Sequence, residues 1–99
     1  MQEKKLWIDD LRKAPEGWLW AKTSAEAIKI LLSHPITEIS FDHDLGGEDT
    51  AYRVATMIEE KAHEGKINRM IWHVHSANPV GERNIRMAMQ NADKYWNKK

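Results

Sequence analysis

The sequence predicts an α/β fold built on a parallel sheet, because two kinds of apolar pattern alternate along the chain. Short apolar-rich runs that end at turn formers or charged clusters indicate strands. Longer segments, with apolar residues recurring every three to four positions, indicate amphipathic helices. Strands that alternate with helices form parallel sheets with right-handed crossovers. The length of 99 residues predicts a single domain over residues 1–99, large enough to bury a core without disulfides or a structural metal.

The first half of the chain holds two predicted strands and one helix. Residues 4–8 (KKLWI) form an apolar-rich strand that ends at an acidic pair. Residues 11–17 contain a proline and a glycine, which favour a loop. A short second strand follows at 18–22. The run 23–26 (TSAE) is typical of a capping box, so a helix begins there, and it ends before Pro35.

The second half repeats the alternation. Residues 36–41 form the third strand, and residues 50–64 form a helix for which Gly65 is a suitable C-terminal cap. The fourth strand is predicted at 69–75. From about Val80 the chain is helical to its end, with apolar residues at helical spacing on one side.

Composition excludes several classes of protein. Lys+Arg and Asp+Glu are both 15, so the net charge is zero, whereas nonspecific binding to DNA needs a basic surface. The chain has no cysteine, which excludes a disulfide framework and a thiolate zinc site. It has no apolar run of membrane-spanning length and no signal-peptide pattern, so we expect a cytoplasmic protein with no membrane partner.

Polar clusters follow three of the four predicted strands. They are Asp9-Asp10, Asp42-His43-Asp44 and His75-Ser76-Ala77-Asn78. Any one of them alone could be a set of loop caps and turn formers. In an open parallel sheet, however, the carboxyl ends of the strands meet at one edge, where ligands bind. We therefore expect the three clusters to form a single site.

These clusters resemble parts of known proteins. The run LWIDD is similar to the first strand and acidic pair of response-regulator receiver domains, and ISFDHDLGG and HVHSA are similar to their third and fourth strand ends. The runs WIDDLRKAPEGW, SFDHDLGG and VHSANPVG together resemble one receiver-like family, the cyclic-phosphate processing receiver domains. The resemblance implies a truncated receiver/flavodoxin-like three-layer fold. Its four-stranded parallel sheet has the order 2-1-3-4, with three helices mainly on one face.

The chain departs from ordinary receivers in two ways. No helix fits between Asp10 and Trp18, since a helical crossover needs about a dozen residues. An extended loop could still join parallel strands, and a hairpin is the alternative. The lysine-bearing fifth strand of receivers is missing, which argues against a phosphorelay switch.

This reduction is expected to leave one face of the sheet without helices. Strand alternation places Trp7 and Ile71 on that face. A homodimer mate or the segment 11–20 could cover it. A somewhat apolar monomeric surface is the alternative.

The acidic residues predict a metal site. Asp9, Asp10 and Asp42 on adjacent strand ends would supply oxygen ligands to a hard divalent cation. Mg²⁺ is the predicted ion and Mn²⁺ a second choice. Zn²⁺, held by His73 and His75 with a carboxylate, is a weaker alternative.

The remaining polar residues predict proton transfer and phosphate binding. Imidazole titrates near neutrality, so His43 and His75 are the candidate acid and base, with their neighbours Asp44 and Ser76 as further catalytic candidates. The candidate phosphate-binding residues are Arg12, Asn78 and Arg83. Asn78 is equally explained as a helix cap before a proline, and either arginine as a solvated surface charge.

Three functions remain open at this point. The preferred one is a metal-assisted phosphoesterase that opens a small cyclic phosphate, either a 2′,3′-cyclic phosphate end of RNA or a nucleotide-derived cyclic phosphate. The second is a degenerate receiver that binds a partner through its uncovered face. The third is a module that sequesters a cyclic nucleotide.

Overall fold

The computed structural model describes residues 3–98 and shows four strands and three helices within them. In chain order they are β1 (Lys4–Ile8), β2 (Leu19–Ala21), α1 (Ser24–Ser33), β3 (Ile36–Phe41), α2 (Tyr52–Glu64), β4 (Ile71–Val74) and α3 (Pro79–Asn97). The first and third strands have the predicted bounds. The second and fourth are shorter, because β2 pairs with β1 only from Leu19 to Ala21 and β4 pairs with β3 only from Ile71 to Val74. No helix in the described part of the chain is long and apolar enough to cross a membrane.

All four strands are parallel and have the order β2-β1-β3-β4, as predicted. The pairing of β1 with β2 decides between the two connections considered above. Leu6 pairs with Leu19 and Ile8 with Ala21 in parallel register, so the hairpin alternative is wrong. Residues 9–18 return the chain as an extended loop without a helix.

One face of the sheet forms the core together with the helices. Leu6 and Ile8 of β1 and Ile39 and Phe41 of β3 are completely buried. The buried residues of the helices belong to the same cluster: Ala27, Leu31, Val54, Ala55, Ile58, Ala62, Ile85, Ala88, Met89, Ala92 and Trp96. The alternation of buried and exposed residues along the strands therefore places the three helices on one face of the sheet.

The opposite face of the sheet is covered unevenly, and we call it the open face. Trp7 of β1 is half-buried by Trp18, whose ring meets it edge-on at 5.9 Å between centroids. Its indole also donates to the backbone oxygen of Arg12. Ile71 on the edge strand remains 62% exposed. The segment 11–20 thus covers β1 and leaves β4 open, and a homodimer through the open face stays a prediction.

Side chains cap the two helices that begin beside the sheet. Thr23 accepts a hydrogen bond from the backbone of Glu26 at the start of α1. At the start of α3, the side-chain oxygen of Asn78 accepts from the backbone of Gly81, with Pro79 in the first turn. These caps satisfy backbone donors that would otherwise lack partners. The Asn78 cap fixes the beginning of α3 close to the end of β4.

Candidate functional site

The carboxyl edge of the sheet forms an open cleft of about 720 Å³. It is lined by Asp9, Asp10, Leu11, Arg12, Asp42, Asp44, Gly46, Gly47, Asp49, Thr50, Ala77, Asn78 and Pro79. The three polar clusters therefore meet at one edge. The remaining predicted site residues, all within the described range 3–98, lie behind the lining or elsewhere: His43, His75, Ser76 and Arg83.

Asp9 is the most buried carboxylate of the site, with 2% of its surface exposed. Its Oδ1 accepts hydrogen bonds from the backbone amides of Leu11 and Arg12, each at 2.8 Å. Its Oδ2 lies 3.0 Å from Nε2 of His75. Burial alone would raise the pKa of Asp9, but the hydrogen bonds from Arg12, Leu11 and His75 hold that pKa below its usual value. Asp9 is therefore an anion at neutral pH.

Asp42 has the opposite electrostatic environment. Burial, followed by repulsion from the anionic Asp9, raises the pKa of Asp42. Ser76 and the other neighbours that favour its charged form do not offset these two effects. The charge on Asp42 thus costs free energy that a bound cation would recover.

Asp9, Asp10 and Asp42 satisfy the basic requirement for a shared cation. One carboxylate oxygen from each lies within 4.8 Å of the others. Among the described residues, the cleft lining carries five aspartates against one arginine. A phosphate ester entering this cleft would meet net negative charge, so a divalent cation with oxygen ligands fits both the donor set and the excess of charge.

The loop between β3 and α2 borders one side of the cleft and contributes two glycines and an aspartate to its lining. Gly46 and Gly47 have φ values of 91° and 58°, which glycine adopts most readily. A Cβ on Gly46 would lie 3.5 Å from Oδ2 of Asp10. At the far end of the turn, the Asp49 carboxylate accepts from the backbone amide and the hydroxyl of Ser24. This contact anchors the loop to the beginning of α1.

Asp49→Asn is expected to lower the free energy of unfolding by about 1 kcal/mol at pH 7, because the amide has one acceptor oxygen where the carboxylate uses two for the bonds from Ser24. Burial acts against the charge, but bonds from Ser24 hold the pKa of Asp49 below its usual value. The stabilisation is therefore complete above about pH 5 and is lost as the pH falls through the lowered pKa. Urea unfolding at pH 7, 5 and 3 should show the difference between wild type and variant shrinking toward acid. Glu48→Gln controls for net charge, and a difference independent of pH would contradict the assignment.

His43 lies against the first turn of α3. Its Nδ1 is 2.8 Å from Oδ1 of Asp44, and only 14% of the His43 side chain is exposed. A Cβ on Gly81 would overlap the His43 ring. Glycine at this position therefore permits the close approach of the imidazole to the helix, while Asp44, 67% exposed, faces the cleft.

His75 lies on the open-face side of the site, behind Asp9. Its Nδ1 is 2.7 Å from the hydroxyl of Ser40 and its Nε2 is 3.0 Å from Asp9. The Trp7 ring stacks on it, with 4.0 Å between centroids and 7° between planes. Burial lowers the pKa of His75, against the attraction of Asp9. Both ring nitrogens are thus occupied by protein groups.

The other predicted residues divide between the cleft and its surroundings. Arg12 lines the cleft, and its guanidinium lies 3.5 Å from the backbone oxygen of His75. The Ser76 hydroxyl accepts a hydrogen bond from the backbone amide of Asn78. The side-chain amide of Asn78 lies 3.4 Å from Oδ1 of Asp44. Arg83 is placed in a separate shallow groove along α3, beside Arg86 and Met87.

His73 belongs to the open face rather than to the cleft. Its Nε2 lies 2.8 Å from Glu38, and its side chain is 52% exposed. Interaction with His73 acts against burial to lower the pKa of Glu38, and Lys5 adds to this effect.

Sequence reasoning did not identify four residues that shape the site: Trp7 and Ser40 behind His75, Asp49 in the loop and Gly81 beside His43. A signal existed for the first two, because strand alternation places Trp7 and Ser40 on the side of the sheet that carries His75. Asp49 and Gly81 act through contacts between distant segments, which no local pattern reveals.

Comparison with protein families places most of the chain in a known family. A family model described as a cyclic-phosphate processing receiver domain matches residues 4–91. Neither a curated protein nor a solved structure matches the chain. The matched range contains all the strands and every residue of the cleft.

Proposed function

The chain belongs to the cyclic-phosphate processing receiver domain family, and from this premise we propose that it is a metal-assisted phosphoesterase that opens a small cyclic phosphate. In the proposed reaction, water attacks phosphorus and the bond from phosphorus to one ring ester oxygen breaks. The leaving oxygen takes up a proton and becomes a hydroxyl group. The product is a phosphate monoester that contains one added water.

The excess of negative charge in the cleft is the observation that carries this proposal. Asp9, Asp10 and Asp42 would hold a divalent cation, preferably Mg²⁺, with Mn²⁺ as the alternative. When bound, the cation would polarise a phosphoryl oxygen and offset negative charge in the transition state. Arg12 and the amide of Asn78 line the same cleft and can donate hydrogen bonds to phosphate oxygens.

Asp44 and His43 are the groups best placed to move the proton. Asp44 faces the cleft and is backed by Nδ1 of His43 at 2.8 Å. A carboxylate supported by an imidazole can take a proton from the attacking water and return it to the leaving oxygen. The structural support of His43 by Gly81 would keep this pair in a fixed orientation.

The open cleft supports a substrate of mononucleotide size. Its volume of about 720 Å³ falls within the range typical of small-ligand sites. Because the cleft is open to solvent, a 2′,3′-cyclic phosphate end of RNA or a nucleotide-derived cyclic phosphate would both have access.

The proposal is tested by incubating the protein with a panel of cyclic phosphates and Mg²⁺, Mn²⁺ or Zn²⁺. Mass spectrometry should detect the monoester with Mg²⁺ or Mn²⁺ and no product after chelation. Asp44→Asn should lower turnover by about 10²- to 10⁴-fold, the usual contribution of positioned acid–base catalysis. Since Asp44 lies outside the three-carboxylate cluster, stabilisation by Mg²⁺ should persist in this variant.

Two other results would lead to different functions. Thermal stabilisation by a cyclic phosphate without product would favour sequestration. No response to any cyclic phosphate or metal would favour the second candidate, a partner-binding module, which the 62% exposure of Ile71 on the open face supports.

A further inference from the structure

His75 contacts Asp9 rather than facing the cleft, and its role follows from those contacts. We propose that His75 is a positioning residue, held by Ser40 and Trp7, that fixes the orientation of the Asp9 carboxylate. Ser40 and Trp7 lie on the open face of the sheet and would thereby act on the site from that face. The inference rests on the proposed function in one respect: the group toward which Asp9 is oriented is the divalent cation.

The hydrogen bonds of Asp9 determine which way its carboxylate faces. Backbone amides of Leu11 and Arg12 hold Oδ1, while His75 holds Oδ2 at 3.0 Å. Donors thus approach the two oxygens from two different segments of the chain. Without His75, Oδ2 would lose the donor that opposes rotation of the carboxylate about its bond to the β-carbon.

Ser40 fixes which nitrogen of His75 donates. Because an ionised carboxylate only accepts, Nε2 must carry a proton when it bonds to Asp9. In the neutral ring, Nδ1 is then an acceptor, and the Ser40 hydroxyl at 2.7 Å is its donor. Ser40 is 3% exposed, so water does not readily replace it. The pair therefore favours the tautomer that Asp9 requires.

Trp7 fixes the plane of the imidazole. The two rings are stacked with 7° between their planes, which resists rotation of His75. The indole nitrogen of Trp7 donates to the backbone oxygen of Arg12, at 3.0 Å. Trp7 therefore holds both the ring that donates to Oδ2 and the segment whose amides donate to Oδ1.

The contacts of His75 favour a positioning role over a role in proton transfer. Both nitrogens of His75 are occupied by Ser40 and Asp9, and His75 is not among the described residues that line the cleft. Partners of this kind orient ligating carboxylates and affect metal affinity in many metal sites. If His75 were an acid–base catalyst, these contacts would leave it no free ring nitrogen to face the substrate.

The test compares Mg²⁺ affinity, measured by calorimetry, in His75→Ala and His75→Gln. His75→Ala should weaken Mg²⁺ binding by about 10- to 100-fold, as is usual when an outer partner of a metal site is removed. His75→Gln should restore most of that affinity, because its amide can donate to Asp9. His73→Ala, a matched control two residues away on the same face of the sheet, should leave affinity unchanged. Equal affinity in wild type and His75→Ala would overturn the proposal, as would failure of glutamine to restore binding.

A second measurement needs no metal. The backbone amide signals of Leu11 and Arg12, which report their bonds to Asp9, should shift in His75→Ala and in Ser40→Ala and return in His75→Gln. If His75→Ala does not fold, Ser40→Ala alone decides the result. Unchanged amide signals in Ser40→Ala would overturn the positioning role. If the wild type bound no Mg²⁺, the proposed function would fail, and the amide signals would still decide the role of His75.

Discussion

Replacing Asp42 with asparagine is expected to abolish metal-dependent turnover and to remove most of the thermal stabilisation that Mg²⁺ gives the wild type. A ligand that binds only the folded state at 100 times its dissociation constant stabilises it by about 2.7 kcal/mol. For a chain of this length, that energy corresponds to an increase in Tm on the order of 10 °C. Asp42 supplies one of the three convergent carboxylates, so its neutralisation should remove most of this increase. The measurement is a thermal melt with and without Mg²⁺.

The same substitution should act differently on the metal-free protein. Burial and the charge of Asp9 raise the pKa of Asp42, which means that its ionised form opposes folding at neutral pH. Asp42→Asn should therefore melt at a higher temperature than wild type without metal. Asp44→Asn is the matched control, because it removes a cleft carboxylate outside the cluster. An Asp42→Asn variant that Mg²⁺ still stabilises would exclude Asp42 as a ligand.

Gly81→Ala is expected to destabilise the fold and to disturb the proposed catalytic pair, Asp44 and His43. A Cβ at this position would overlap the His43 ring, and overpacking of this kind costs about 1–3 kcal/mol. Relief requires the imidazole to move, which would separate it from Asp44 and lower turnover. Equilibrium urea unfolding measures the first effect and cyclic-phosphate hydrolysis the second.

A double-mutant cycle with His43→Ala isolates the cause. When the ring is absent, the added methyl group has space, and alanine is a better helix former than glycine by up to about 1 kcal/mol. Gly81→Ala should therefore be neutral or stabilising in the His43→Ala background. An equal cost in both backgrounds would mean that the penalty comes from the helix and not from His43.

The strands of the sheet were predictable because the relevant signals are local or periodic, whereas their order followed from the resemblance to receiver domains. The apolar runs at 4–8 and 36–41 gave the bounds of β1 and β3, and both match the structure. The acidic pair after β1 and the cluster after β3 could be placed at one edge, since parallel strands share the direction of their ends. The parallel pairing of β2 was harder to predict, because a ten-residue connection without a helix is compatible with a hairpin as well.

The roles of individual side chains were less predictable than their positions. His75 was correctly expected at the end of β4, yet its partners lie elsewhere, Ser40 on β3 and Asp9 directly after β1. The direction of the imidazole depends on those partners and not on its sequence neighbours. Arg83 illustrates the same limit, since helical phase places it in a groove beside Arg86. Proximity in sequence to Asn78 did not bring it into the cleft.

The tryptophans of the open face give the site an internal optical reporter. Trp7 stacks on His75, Trp18 meets Trp7 edge-on, and the Trp20 indole donates to the backbone oxygen of Asp9 at 2.7 Å. Three of the chain's five tryptophans therefore lie within one or two contacts of the acidic cluster. Indole emission responds to the charge and polarity of such neighbours. Events in the cleft can consequently be followed in the native protein by its intrinsic fluorescence, without an attached dye.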